Sequence, residues 1–167
     1  SSPTQSCSNR ENLKFSPAKE LTEVGGILTF NFTNLEPAEG DVTVRVFIRG
    51  DADGDGSNEW YTITADPGGV DELTLGDAQT PAGAPDEFEC SAGYTEAIKR
   101  NNNDVIEISQ STFNNIINNN GGSLTLSATA ASEVGLFCDF NDVKIELSYP
   151  VCSTCPIFDF NVCIVLD

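Results

Sequence analysis

Val42-Thr43-Val44-Arg45-Val46-Phe47-Ile48-Arg49 is the stretch that decides the fold. Val42, Val44, Val46 and Ile48 fall on one side of an extended chain, with Thr43, Arg45 and Phe47 on the other. That period of two belongs to a strand with one buried face, and the β-branched side chains suit a pleated surface. Working outward, Leu28, Phe30 and Phe32 alternate with Thr29, Asn31 and Thr33. Further short strands are expected at 60–64, 73–75, 105–108, 124–128 and 143–149, separated by Gly, Asn, Asp and Pro. No long helical period interrupts them. Each apolar face needs a partner, so the expectation is an all-β fold, a jelly-roll-like β-sandwich of two packed sheets.

One helix is expected, in Ser111-Thr-Phe-Asn-Asn-Ile-Ile-Asn-Asn-Asn-Gly-Gly. Ser111 or Thr112 can cap it, Phe113, Ile116 and Ile117 share a face, and Gly121 offers a left-handed stop. The helix covers one end of the sandwich, and its many Asn residues read as capping and turn chemistry. Residues 1–24 read as an N-terminal arm, or as an early strand around Leu21 and Val24, 25–150 as the sandwich domain, and 151–167 as a hinge and terminal strand. Residues 77–103, with Pro81, Pro85 and Cys90, form a long connection of the kind that is often functional.

The length of 167 residues suits one domain with a real core. The net charge of −18, from 8 Lys and Arg against 26 Asp and Glu, argues against nucleic acid and anionic membranes as partners. It favours recruitment of divalent cations. His is absent, which removes the commonest general base and the Ser-His and Cys-His nucleophile pairs. No pair among the many carboxylates is singled out for acid–base work, so an enzyme is not expected. No apolar run approaches a membrane span.

Met is also absent, which reads as a processed chain whose secretory signal has been removed. The even set of Cys7, Cys90, Cys138, Cys152, Cys155 and Cys163 agrees with disulfides in an oxidising, extracellular compartment. Six Cys allow 15 pairings, and all stay open. Asn31-Phe32-Thr33 is an N-glycosylation triplet, with Asn31 on the outward side of its strand.

The sharpest local motif is Asp51-Ala-Asp53-Gly-Asp55-Gly56-Ser-Asn-Glu59. Carboxylates at alternate positions converge on one cation when the backbone curls, and hard oxygens select calcium. Asp51, Asp53, Asp55 and Glu59 are therefore the candidate calcium ligands, in a structural role. The opening resembles the calcium loops of EF-hand and dockerin modules. It departs from them at Thr62, where a bidentate Glu would stand, and in its flanking strands.

Beyond a Pro- and Cys-marked hinge, the chain ends in a second strand pattern. Phe158, Phe160, Val162, Ile164 and Leu166 share one face, opposite Asp159, Asn161, Cys163 and Asp167. Burying five such side chains is worth roughly 8–15 kcal/mol before ordering costs. That face either folds back on its own sandwich or enters a neighbouring subunit, as in donor-strand complementation.

The whole layout resembles extracellular fibril and pilus subunits joined by strand exchange, and is similar in style to glycan-coated fibrils from natural waters. The resemblance is architectural. It implies a homopolymer whose subunit interface is the face of Phe158, Phe160, Val162, Ile164 and Leu166, with covalent glycans as possible additions. The alternative expectation is a monomeric, calcium-dependent carbohydrate-binding module that uses the Asp loop with Trp60 and Tyr61.

Overall fold

The computed structural model describes residues 8–52, 58–81, 90 and 93–153. Among them, the strands in chain order are β1 (Ser8–Phe15), β2 (Lys19–Glu20), β3 (Ile27–Phe32), β4 (Val42–Arg49), β5 (Tyr61–Ala65) and β6 (Leu73–Gln79). They continue with β7 (Thr95–Glu96), β8 (Ile98–Lys99), β9 (Ile106–Ile108), the helix α1 (Gln110–Asn119), β10 (Leu124–Ala130) and β11 (Asp142–Ser153).

One sheet runs β1-β11-β4-β7, with β2 also on β11 and β9 also on β4; the other runs β3-β10-β5-β6-β8. Setting aside the two-residue strands β2, β7 and β8, the pairing nests. First pairs with last (β1 with β11), then β3 with β10, β4 with β9 and β5 with β6, all antiparallel. The roll closes where β11 also pairs with β4, and β10 with β5. A long hairpin rolled on itself in this way is a jelly roll.

The expected faces meet across the middle. Val42, Val44, Val46 and Ile48 are buried from one sheet, and Leu28, Phe30 and Phe32 from the other. Val143, Ile145, Leu147, Tyr149 and Val151 line the interior of β11. The four aliphatics of β4 alone contribute roughly 6–12 kcal/mol of gross burial.

The helix buries Phe113, Ile116 and Ile117, as its pattern predicts. Its cap is Ser109, two residues before the expected Ser111, because the Ser109 hydroxyl accepts from the Thr112 amide. Asp41, just ahead of β4, accepts from the Gln110 amide and adds a carboxylate at the positive helix end. The Asn residues stitch loops together. Asn114 bonds both the amide and the carbonyl of Ala38, and Asn119 donates to Asp71. Gly121 lies in the left-handed region, φ 62°, as its role as a stop requires.

Two boundaries differ from the reading of the sequence. The stretch assigned to an arm supplies β1, which pairs with β11 from Ser8↔Ser153 to Phe15↔Glu146. The hinge expected from residue 151 begins later, since β11 continues through Pro150 to Ser153. Proline is tolerated there because β4 stops opposite Ser148, so no ladder needs the missing N–H on that side. Instead the Pro150 carbonyl accepts from the Glu39 amide.

Phe113 packs on Tyr149 with ring centroids 4.8 Å apart, and Asn12 donates to the Tyr149 hydroxyl at 2.8 Å. Phe113→Ala is therefore expected to lower unfolding free energy by about 3–5 kcal/mol in a urea titration, through loss of the plug at that end of the core. A loss under about 1 kcal/mol would show that the helix is not part of the cooperative core.

Candidate functional site

The acidic loop leaves β4 at Gly50, whose φ is 119°. A β-carbon there would collide with the Phe140 carbonyl oxygen and lie 2.8 Å from Asn141 Oδ1. Only glycine allows the chain to pass so close to the 131–141 loop. Asp51 follows, 5% exposed, and its Oδ2 accepts from the Gly135 amide at 2.7 Å. The far end of the loop is also held: the Asn58 amide donates to Glu133, and the Ala131 amide donates to the Trp60 carbonyl. Thr80 bonds the Ala52 carbonyl through both its amide and its hydroxyl.

The 131–141 loop is fastened in turn by the Cys90–Cys138 disulfide, which closes 48 residues of sequence separation. On loop-closure entropy, such a bridge is worth about 4 kcal/mol. With that bridge set, three of the 15 pairings remain. Cys152 is disulfide-bonded as well. Cys7, Cys155 and Cys163 lie outside the described residues.

Of the four calcium candidates, Asp51 and Glu59 are described, while Asp53 and Asp55 lie outside the described residues. Among the described residues no group of three or more acidic, Cys or His side chains is placed to hold a metal. Asn141, which sequence reasoning missed, is 5% exposed; its Nδ2 donates to the Cys138 carbonyl, and among the described residues its Oδ1 accepts no hydrogen bond. That orphaned oxygen faces Gly50, beside Asp51. A buried amide oxygen without a donor costs about 1–3 kcal/mol, and a cation is one way to satisfy it. The oxygens of Asp51 and Asn141 are hard donors.

Behind the loop, Tyr61 is only 1% exposed. Burial, together with the negative charges of Asp51 and Asp142, pushes its hydroxyl above the ordinary tyrosine range. Tyr61 is therefore a core residue and offers no ring to a sugar. One face of the Trp60 ring carries the Arg100 guanidinium, 3.8 Å from the ring centroid. The two aromatics of the carbohydrate expectation thus form no open platform.

The outer face of the first sheet carries a cationic and aromatic row. Arg49 grips Asp142 with two bonds of 2.8 Å and stacks on Phe140 at 3.9 Å. The Tyr94 hydroxyl also donates to Asp142, and Lys144 sits over the Tyr94 ring. Arg45 binds Glu96 through two bonds and Glu146 through a third. Alternation of Arg45, Phe47 and Arg49 in β4 was the local signal for this row; the partners come from distant segments. Burial of Asp142 opposes its ionisation, but the bonds from Arg49 and Tyr94 hold its carboxyl below the usual range. The Arg45 bond likewise lowers Glu96.

Asn31 is exposed on β3, as the alternation predicts, and its Oδ1 accepts from the Thr125 hydroxyl at 2.8 Å. Phe158, Phe160, Val162, Ile164 and Leu166 lie outside the described residues. A hollow beside α1 is lined by Leu35, Pro37, Asn115, Ile117 and Asn118, without a titratable group for acid–base chemistry. Among the described residues no helix is long and apolar enough to cross a membrane.

Comparison of the chain with protein-family models, with curated proteins and with solved structures finds no match.

The carboxyls of Asp142 and Glu96 titrate lower in the folded chain than in the unfolded one, so the unfolded chain binds more protons. Their stabilisation is complete above ordinary carboxylate values of about 4 and is lost as pH falls through the lower folded values. Tyr94→Phe removes one bond that holds Asp142 down. Its acid unfolding, followed by circular dichroism, is expected to begin at a higher pH than in the parent; coincident acid limbs would refute this role for Tyr94.

Proposed function

We propose that this chain is a structural subunit of an extracellular filament or surface appendage, joined to its neighbours by the strand pattern of residues 157–166. The observation that carries this reading is the nested pairing of the jelly roll. Its eight strand positions are all filled between Ser8 and Ser153, and its inner faces are already paired. The alternating sequence of Phe158, Phe160, Val162, Ile164 and Leu166 comes in addition to those eight strands, which supports its use between copies. A strand passed to the next copy makes a heterologous contact, because donor and acceptor surfaces differ, and such contacts propagate into filaments. The disulfides suit an oxidising, extracellular location.

The proposal includes calcium as a structural ion in the 51–59 loop, held by Asp51, Asp53, Asp55 and Glu59. Support comes from the buried Asp51 carboxylate and the orphaned Asn141 oxygen beside it. Asn31 is proposed as a glycan attachment point on the exposed side of β3. The carbohydrate-binding alternative has less support, since Tyr61 is buried and Arg100 covers one face of Trp60.

Assembly is tested by negative-stain microscopy and light scattering on the full chain and on a chain ending at residue 156. Filaments from the first and short soluble species from the second are the expected result; monomers from the full chain, with calcium present, would overturn it. Calorimetry on the metal-stripped chain is expected to show calcium heat and a higher melting temperature, worth about 2.7 kcal/mol at a hundredfold excess over Kd. Asp51→Asn is expected to reduce both. No heat and no shift would remove calcium from the proposal.

A further inference from the structure

A donor strand of about ten residues needs a free sheet edge of similar length. The edges of this sandwich are unequal. One sheet ends on β7 and β9, of two and three residues, and the other on β8, of two. Short edge strands are a usual protection against strand addition. The long regular edges are β1, with eight residues, and β3, with six; the stretch of β6 that β8 leaves uncovered is short and broken by a bulge opposite Ile63 and Thr64.

Those two differ in chemistry. β3 reads Ile-Leu-Thr-Phe-Asn-Phe, has no charge, and displays Asn31 of the glycosylation triplet. β1 carries Arg10 and Lys14 against Glu11, and β2, with Lys19 beside Glu20, extends the same edge along β11. Arg10 is paired with Glu36, while Lys14 and Lys19 form no ion pair among the described residues. Three of the eight basic residues of a chain with net charge −18 thus stand along one edge. The 157–167 segment has Asp159 and Asp167 and no Lys or Arg.

β1 also leaves large apolar groups uncovered. Leu13 and Phe15 pair with Ser148 and Glu146 and share the outer face with them, 48% and 69% exposed. β11 occupies one side of β1 along its whole length, and among the described residues no strand occupies the other. The edge is long and apolar at two positions, and its lysines, which guard an edge against most strands, leave it open to an acidic one.

We propose that this β1 edge is the acceptor: residues 157–166 of a second copy of the chain add to the free side of Ser8–Phe15. The apolar face of the incoming strand then lies beside Leu13 and Phe15, and its carboxylates lie near the basic residues of the edge. This inference rests on the strand-exchange reading above and adds the surface that receives the strand.

Hydrogen exchange on the unmodified full chain, assembled and unassembled, tests it first. The amides of residues 9, 11, 13 and 15, which point away from β11, are expected to slow by about tenfold or more on assembly, as for backbone groups newly hydrogen-bonded, while those of 27–32 are unchanged. The second test is the double variant Leu13→Lys, Phe15→Lys, with Ile27→Lys on β3 as control. All three side chains are exposed, so the monomer's melting temperature should hold. The double variant is expected to raise the concentration needed for assembly about tenfold or more, and the control to leave it unchanged. If the full chain assembles and loss of 157–167 abolishes assembly, but protection falls on 27–32 or the double variant assembles normally, the β1 assignment is wrong and strand exchange stands. If the full chain does not assemble, both fail.

Discussion

β11 has to satisfy three neighbours at once, and the rest of the sandwich depends on how it does so. Its inner face buries Val143, Ile145, Leu147, Tyr149 and Val151, while its edges pair with β1 and β2 on one side and β4 on the other. A slip of one residue would turn that whole apolar set toward water. The register is therefore set by burial, and β1 is placed by β11. The same strand carries Asp142, Lys144 and Glu146 on its outer face, so the ionic row across β4 inherits its spacing from the core beneath it.

At one end of this frame the acidic loop depends on a segment far away in sequence. Gly50 brings the chain against Phe140 and Asn141, the Gly135 amide holds Asp51, and Glu133 holds the Asn58 amide. The Cys90–Cys138 bridge anchors that segment to the long connection. The loop ends are therefore positioned before any ion is considered.

The faces of β3 and β4 were legible because alternation is local and both strands bury one side only. The apolar face of α1 was legible for the same reason, although the cap lay two residues earlier, at Ser109. β1 was not, because its pattern is inverted: Asn12 points inward to Tyr149, while Leu13 and Phe15 face out. Pro150 suggested a hinge, and only the end of β4 opposite Ser148 explains why a strand passes through it. Of the candidate site, the acidic loop was legible as a motif, but Asn141, Gly135 and Glu133 were not. Their roles arise from contacts across the fold that no local spacing encodes.

The β1–β11 ladder has a mechanical side. Ser8 and Ser153 face each other at one end of the pair, and Phe15 and Glu146 at the other. A force drawing the chain away from Ser153 across the sheet opens the ladder one rung at a time, beginning at that corner. The same force directed along the strand loads every rung together, and β4 on the far side of β11 shares the load from Ser148 inward. The sandwich is thus stiff to tension along β11 and soft to peeling at its corner, and the direction of pull decides which resistance a neighbour meets.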